Sequence, residues 1–298
     1  MVRTLDVKYT QNFLQNITAL QSILKKYIKI NSADTVVEIG AGTGNLTWEL
    51  AKVAKNVIAY EIDPVLFQNL KNEIASREIT NIELRDIDFL KTNLGKLDKF
   101  KIFANIPFFL TSEIIRKILL TRNKLSHAYL FMEKDAAFRF IGKPYRKDSL
   151  VSIIIELNWE IKIIYNFLKT DFRPVPNASV VLISLKRKTE NAEIDNFEFQ
   201  DFVSFLYVRK KANIKQTLLT LFTFPQVKQI KKHLKLKWEQ SSSDLTFDDW
   251  LYLYKLAKGH IDKDKLSIIF GCFANINNIG KEMKKGRGLI VLQKNRGF

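Results

Sequence analysis

The chain has 298 residues, 46% of them hydrophobic and 27% charged, which gives room for two domains and a sizeable core and excludes a disordered chain. Its 48 Lys+Arg against 31 Asp+Glu leave a formal net charge of +17, a field that points to a polyanionic partner and favours nucleic acid over an acidic membrane. One cysteine, Cys272, excludes an internal disulfide framework, and three scattered histidines offer no metal cluster.

No apolar run reaches the length of a membrane span, and the opening MVRTLDVKYTQNFL lacks the apolar stretch of a signal peptide, so a cytoplasmic setting is expected. In chain order, residues 17–29 carry apolar residues at helical spacing (Ile17, Leu20, Ile23, Leu24, Ile28). TVVEIG then reads as a buried strand that turns through Gly40–Gly44 into the helix NLTWELAKVA. NVIAYEID is a second strand, and Pro64 can open the helix after it because a first-turn proline needs no amide donor. NIELRDIDFL holds a third strand, KFKIFANI a fourth, TSEIIRKILL a helix and HAYLFME a fifth strand. SLVSIIIELNWEIKIIYNF reads as helix then strand, and SVVLISLKRK as a last strand. This alternation predicts a doubly wound α/β domain over residues 1–188. After it, FQDFVSFLYVRKKANIKQTLLTLF, PQVKQIKKHLKL and LTFDDWLYLYKLAKG read as helices alone, the last opened by a capping box of Thr246 and Asp249. They form a small basic helical domain over 189–258, followed by a basic tail, 259–298, with no assignable period.

The turn Gly40-Ala41-Gly42-Thr43-Gly44 lets a backbone approach a ligand closely before a helix begins. It is not a dinucleotide fingerprint, because the third glycine comes one residue early, and no G-K-[ST] follows. Glu38, just before it, would repel a phosphate and suit a cation. Glu61 closes the second strand 21 residues after Gly40, where an acid can grip a ribose diol. Asp88, with Asp86 as a neighbouring rival, lies near the end of the third strand, where it can accept from an exocyclic amine. A ligand with a ribose, an adenine and a positive centre but no phosphate is S-adenosylmethionine.

The fourth strand ends in Ala104-Asn105-Ile106-Pro107-Phe108-Phe109, an odd way to stop a strand. In such a sheet this end faces the cofactor cleft. The Asn105 side-chain oxygen and the carbonyls of Ile106 and Pro107 could converge on an exocyclic NH2, while Phe108 supplies a flat face for a flipped-out base and Phe109 sits in the core. Methyl transfer from a sulfonium then needs orientation and no nucleophilic residue.

On these motifs the chain resembles the rRNA adenine N6-methyltransferases, and among them the Erm (erythromycin-resistance) type. TQNFL at 10–14, EIGAGTGNLT, YEID, DFL at 88–90, NIPF and FRPVPNASVVLISLKRK at 172–188 arrive in the family's order, and LTFDDWLYLYKL is similar to its C-terminal helix. The resemblance covers roughly residues 8–258 and implies a Rossmann-like class I S-adenosylmethionine-dependent methyltransferase. It implies that Asn12, Leu14, Gly40, Glu61, Asp88 and Asn105 line the cofactor site. It also implies that Asn105, Pro107 and Phe108 clamp the target adenine, with Phe172 as a second aromatic near the flipped base. Asp88 is preferred to Asp86 because it stands 17 residues before the motif asparagine. Phe108 replaces a commoner Tyr, and Ala178 and Val180 depart from the family's usual residues after F-x-P-x-P.

For RNA, Lys143, Arg146 and Lys147 in the Gly/Pro loop GKPYRKDS and Arg209, Lys210 and Lys211 in the helical domain are candidate phosphate contacts, and the overall basic excess predicts salt-sensitive binding. The expected substrate is an adenosine of 23S rRNA in the peptidyl-transferase loop, giving macrolide, lincosamide and streptogramin B resistance, with the enzyme acting as a monomer. Ile106 in NIPF, where the housekeeping small-subunit (16S) dimethyltransferases favour Leu and Tyr around the proline, and the short helical domain favour that target over the small-subunit one. A non-catalytic nucleic-acid-binding relative is the alternative from another class.

Overall fold

In the computed structural model, which describes residues 12–121, 124–188, 194–208 and 213–274, the chain divides into two units. One comprises Met1–Ile141 and Trp159–Lys188, the other Gly142–Asn158 and Thr189–Phe298.

The first unit follows the expected alternation. Its elements are β1 (Phe13–Leu14), α1 (Ile17–Tyr27), β2 (Thr35–Ile39), α2 (Asn45–Ala51), β3 (Asn56–Tyr60), α3 (Pro64–Ser76), β4 (Ile82–Arg85), β5 (Phe100–Asn105), α4 (Thr111–Leu120), β6 (Leu125–Glu133) and α5 (Lys134–Ile141). After an excursion into the second unit the chain returns as β7 (Trp159–Asn166), β8 (Phe172–Arg173) and β9 (Val180–Arg187). Seven strands form one sheet in the order β4-β3-β2-β5-β6-β9-β7. The first five are parallel, and β9 runs antiparallel to both β6 and β7. Central strands covered on both faces are largely apolar, and Val36, Val37, Ile102, Phe103 and Ala104 are fully buried, with Glu38 as a buried exception in β2.

The sheet order reverses direction at β2, which lies between β3 and β5. Open α/β sheets leave a crevice at such a switch point, beyond the carboxyl ends of the strands. The ends of β2, β3, β4 and β5 are the positions of Gly40, Glu61, Asp88 and Asn105. Asp63 caps α3 by accepting from the amides of Val65 and Leu66, with Pro64 in the first turn as expected.

Three features depart from the sequence reading. A two-stranded antiparallel ribbon joins β1 to β8, pairing Phe13 with Arg173 and Leu14 with Phe172. The helix α5 follows β6 directly. The expected domain 1–188 also loses a segment, because Gly142–Asn158 belongs to the second unit. Its helix α6 (Leu150–Asn158) buries Ile153 and Leu157 in the core of that unit, against α7 (Asn196–Tyr207). Long-range packing decides this, and the local pattern of SLVSIIIELN is silent about it.

The rest of the second unit is helical: α7, α8 (Ile214–Leu218), α9 (Phe224–Leu234), α10 (Phe247–His260) and α11 (Lys263–Leu266). Its core is built on Phe199, Phe202, Leu206, Trp250 and Leu253, all fully buried. The capping box is present: the Thr246 amide donates to the Asp249 carboxylate (2.8 Å) and the Asp249 amide to the Thr246 hydroxyl (3.2 Å). The single long helix read over 199–222 is two helices, α7 and α8. The first part of the tail also packs. Leu266 and Ile269 are buried, and the Asp201 carboxylate accepts from the amides of Gly271 and Phe273 (2.8 and 2.9 Å). Among the described residues no helix is long and apolar enough to cross a membrane.

Candidate active site

The loop after β2 is held to the end of β3 by main-chain bonds. Gly40 and Ala41 both donate to the Tyr60 carbonyl (2.9 and 3.0 Å). The next strand-end residue, Glu61, is 1% exposed, and its two carboxylate oxygens accept from the amides of Gly42 (2.7 Å) and Asp63 (2.8 Å). The loop thus wraps round a buried acid. Gly42 has φ +58°, and a Cβ there would stand 2.7 Å from the Phe13 ring, so this position needs glycine on two counts. At Gly40, with φ +73°, an added Cβ would meet nothing within 4 Å, so the main chain there borders open space.

That space is a cleft lined by Gly40, Glu61, Ile62, Asp88, Leu90 and Pro107 among others. A contiguous depression is lined by Asn12, Phe13, Gly40, Asn105, Pro107 and Phe108. Gly40 and Pro107 border both, so the structure brings together Asn12, Gly40, Glu61, Asp88, Asn105, Pro107 and Phe108, residues drawn from four strand ends and the N-terminal segment. Asp88 lines the cleft, with one oxygen accepting from the Leu90 amide (2.8 Å), whereas Asp86 is exposed and outside the lining. Lys117 fixes the turn that follows Asp88, donating to the carbonyls of Leu90 (2.9 Å) and Thr92 (2.6 Å). Burial lowers the Lys117 pKa, and the nearby Asp88 carboxylate opposes that effect.

Asn105 ends β5 with its amide group donating to the Asn12 carbonyl (2.6 Å), a contact that links residues 93 positions apart. With Nδ2 so engaged, Oδ1 is the side-chain atom available to a ligand donor. Pro107 leads into a short 3-10 turn over Phe108–Leu110, and its carbonyl accepts from the Leu110 amide (2.9 Å). The turn bond takes one of the two lone pairs of this carbonyl and leaves the other for a substrate donor.

Further corrections concern the aromatics and Glu38. Phe108 is half-buried and rests on the core, while Phe109, expected inside, is 51% exposed. Successive residues of a 3-10 turn point about 120° apart, so one of two adjacent rings must face out. Phe172, expected as a second aromatic at the flipped base, is fully buried and meets Phe167 edge-on (centroids 5.3 Å apart). A stacking platform needs an open face, and Phe172 instead serves with Leu14, which is also buried, as core beneath the β1–β8 ribbon. Asn45 donates to the Leu14 carbonyl (2.9 Å), tying that ribbon to α2. Glu38 is 1% exposed and does not line the cleft. Thr47 donates to one of its oxygens (2.6 Å), and the other has no partner. Burial pushes its pKa up to about 8, the Thr47 bond pulls the other way and the Glu61 charge adds to the rise, so near neutrality Glu38 is an uncharged acid. It does not offer the cleft a charge.

Sequence reasoning missed Ile62 and Ile87, which are 58% and 50% exposed and flank the two acids as apolar walls of the cleft. Their signal was an isoleucine beside each strand-end acid, where a surface position would favour a polar residue. The cleft fits the donor the sequence implies: its lining has two carboxylates, no Lys or Arg, an open glycine main chain and apolar walls. A phosphate-bearing cofactor would find no cation there.

Of the proposed RNA contacts, Lys143 pairs with Asp148 (3.3 Å) and Lys147 with Asp244 (2.8 Å), while the Arg146 side chain is exposed in the same loop. Both lysines thus already have an acidic partner, Lys143 a buried carboxylate and Lys147 one nearer the surface, where ion pairs hold weakly. Arg209, Lys210 and Lys211 lie outside the described residues.

Comparison with known proteins agrees with this architecture. Residues 2–258 match the ribosomal RNA adenine dimethylase family. A relative from Mycoplasma mobile, named ribosomal RNA small subunit methyltransferase A, is 31% identical over 245 residues, 82% of this chain and 94% of its own. The crystal structure of the 23S rRNA methyltransferase ErmE superposes with a TM-score of 0.72 at 23% identity, covering 83% of this chain and all of ErmE, a likeness of fold. A dimethyladenosine transferase from Plasmodium falciparum gives a TM-score of 0.70 at 27% identity over 84% of this chain and 98% of its own. With a class I methyltransferase fold and a family match spanning residues 2–258, this chain belongs to the ribosomal RNA adenine dimethylases, enzymes that use S-adenosylmethionine.

Proposed function

We propose that the protein transfers methyl groups from S-adenosylmethionine to N6 of adenosine in small-subunit rRNA, as a dimethyltransferase. The observation that carries this reading is the near full-length match to a small-subunit methyltransferase, a name shared by relatives from Fusobacterium nucleatum and Thermotoga neapolitana. The sequence features that favoured 23S rRNA lose their force. Ile106 is 1% exposed, so exchanging it for another aliphatic residue changes packing and cannot read an RNA. The helical unit is also larger than the 189–258 segment first assigned, because Gly142–Asn158 and residues up to 274 join it.

S-adenosylmethionine, when bound, supplies a methyl group on a sulfonium sulfur. In this reading the main chain at Gly40 lies against the donor, Glu61 holds the ribose hydroxyls, Asp88 accepts from the adenine amine, and Ile62 and Ile87 sandwich its ring. Asn12 holds Asn105 so that Oδ1 faces the target. That oxygen, with a main-chain carbonyl of the 105–108 turn, accepts the N6 hydrogens and stabilises the positive charge that develops on nitrogen. Phe108 stacks the flipped base, a contact worth on the order of 1–3 kcal/mol. Phe109, facing out beside it, meets the neighbouring RNA. The chain's contribution is thus position and electrostatics.

The test is transfer of label from S-adenosylmethionine to purified small- and large-subunit RNA, as naked RNA and as subunit particles, with digestion to nucleosides. N6,N6-dimethyladenosine in the small-subunit material is expected. Label in large-subunit RNA alone would overturn the reading in favour of an Erm-type target, and label in neither would favour a binding protein.

A further inference from the structure

Residues 213–238 contain six lysines and no aspartate or glutamate. Within this stretch three lysines lie over two aromatic rings. The Lys231 ammonium is 4.6 Å from the Trp238 ring centroid, and Lys228 is 4.7 Å from that of Phe224. Lys215 reaches both rings, at 5.5 Å from Phe224 and 5.6 Å from Trp238. Phe224 is 46% exposed, Lys228 is exposed, and Lys215, Lys231 and Trp238 are half-buried. None of the three lysines is in an ion pair among the described residues, in contrast to Lys143 and Lys147. The chain is tied in this place: the Ile214 amide donates to the Gln240 carbonyl (2.8 Å), closing α8 against the segment that carries Trp238. Just after α9, Lys235 is held at φ +53°, a left-handed conformation that glycine normally takes and that a lysine adopts only at a cost.

We propose that Lys215, Lys228 and Lys231, held by Phe224 and Trp238, form a site for the phosphates of an RNA strand. This rests on the rRNA reading above. A solvated lysine loses side-chain entropy when it docks on a phosphate, and one already resting on a ring has given up part of it. The rings therefore hold the three charges in place, and none of the three is taken up in an ion pair among the described residues. Such a site binds backbone without reading sequence, so it adds affinity and orientation and leaves the choice of adenosine to the cleft.

Filter binding of rRNA, measured against salt without any methylation readout, tests the site. Each phosphate contact contributes roughly 0.7–0.9 to the slope of log K against log salt. Lys228→Ala/Lys231→Ala should therefore lower the slope by about 1.5 and weaken binding roughly tenfold or more at moderate salt. Calorimetric affinity for S-adenosylmethionine and the circular dichroism spectrum should stay unchanged. The control is Lys52→Ala/Lys162→Ala, which removes the same charge from two exposed lysines in the other unit. A slope and affinity equal to the wild type would overturn the proposal, as would an equal loss in the control pair, which would make net charge the cause. Loss of binding to anionic phospholipid vesicles with RNA binding intact would also overturn it. Because binding is scored on small- and large-subunit RNA alike, a wrong target assignment would leave this result standing.

Discussion

Asn105→Ala is expected to lower kcat for RNA methylation by roughly 10²–10³-fold, the range seen when one preorganised hydrogen-bonding group is removed from a transition state. The size of the effect follows from two roles of one side chain. Oδ1 is the acceptor aimed at the target amine, and Nδ2 binds the Asn12 carbonyl at 2.6 Å, which locks that aim. Alanine loses both. Asn105→Asp keeps an acceptor and loses the donor to Asn12, so it should retain more activity than alanine at pH 7. RNA affinity should survive in both variants, since neither removes a basic side chain. Steady-state kinetics at saturating RNA and donor, paired with filter binding, separate these effects. Near-normal turnover in Asn105→Ala would show that the 105–108 turn does not hold the reacting nitrogen.

Glu38→Gln is expected to remove most of a pH dependence of stability. The Glu38 carboxyl titrates near 8 in the folded protein against 4.5 for an unperturbed glutamate. Between those values the folded state keeps a proton that the unfolded chain has released. Stability therefore falls as pH rises through this window, by up to about 1.4 kcal/mol per pH unit. Across the window the loss is on the order of 4–5 kcal/mol from this one group. Glutamine has the same shape, still accepts from Thr47 and cannot ionise. The variant should lie within about 1 kcal/mol of the wild type near pH 5 and exceed it by several kcal/mol near pH 8. Urea unfolding at pH 5, 6.5 and 8 measures this directly. Parallel stability profiles for the two proteins would mean that Glu38 is not a buried neutral acid.

The sheet was legible because fully covered parallel strands carry short apolar runs, as in the VV of TVVEI, the VIAY of NVIAY and the IFA of KIFAN. The acids were legible for a related reason. Glu61 and Asp88 interrupt apolar segments at strand ends, where a sheet with a switch point opens to a ligand. What stayed hidden depends on distance along the chain or on phase within a turn. A two-residue strand such as Phe13–Leu14 has no period to read, and its pairing with Phe172–Arg173 spans more than 150 residues. The Asn12–Asn105 bond is hidden for the same reason. Phe108 and Phe109 are identical in type, and only the 3-10 turn decides which of them rests on the core. Phe172 was carried over by motif alone. Motif order cannot report burial, and the ring proves to be core. Helix α6 reads correctly as a helix, yet the unit it joins is set by Ile153 and Leu157 meeting α7, a choice between two apolar surfaces that its own sequence does not contain.

A crystal structure with S-adenosylhomocysteine bound shows the donor site itself. The ribose hydroxyls should lie on Glu61, the adenine between Ile62 and Ile87 with its amine toward Asp88, and the sulfur should face the turn from Asn105 to Phe108. A ligand seated elsewhere, or one whose sulfur points away from that turn, would contradict this placement.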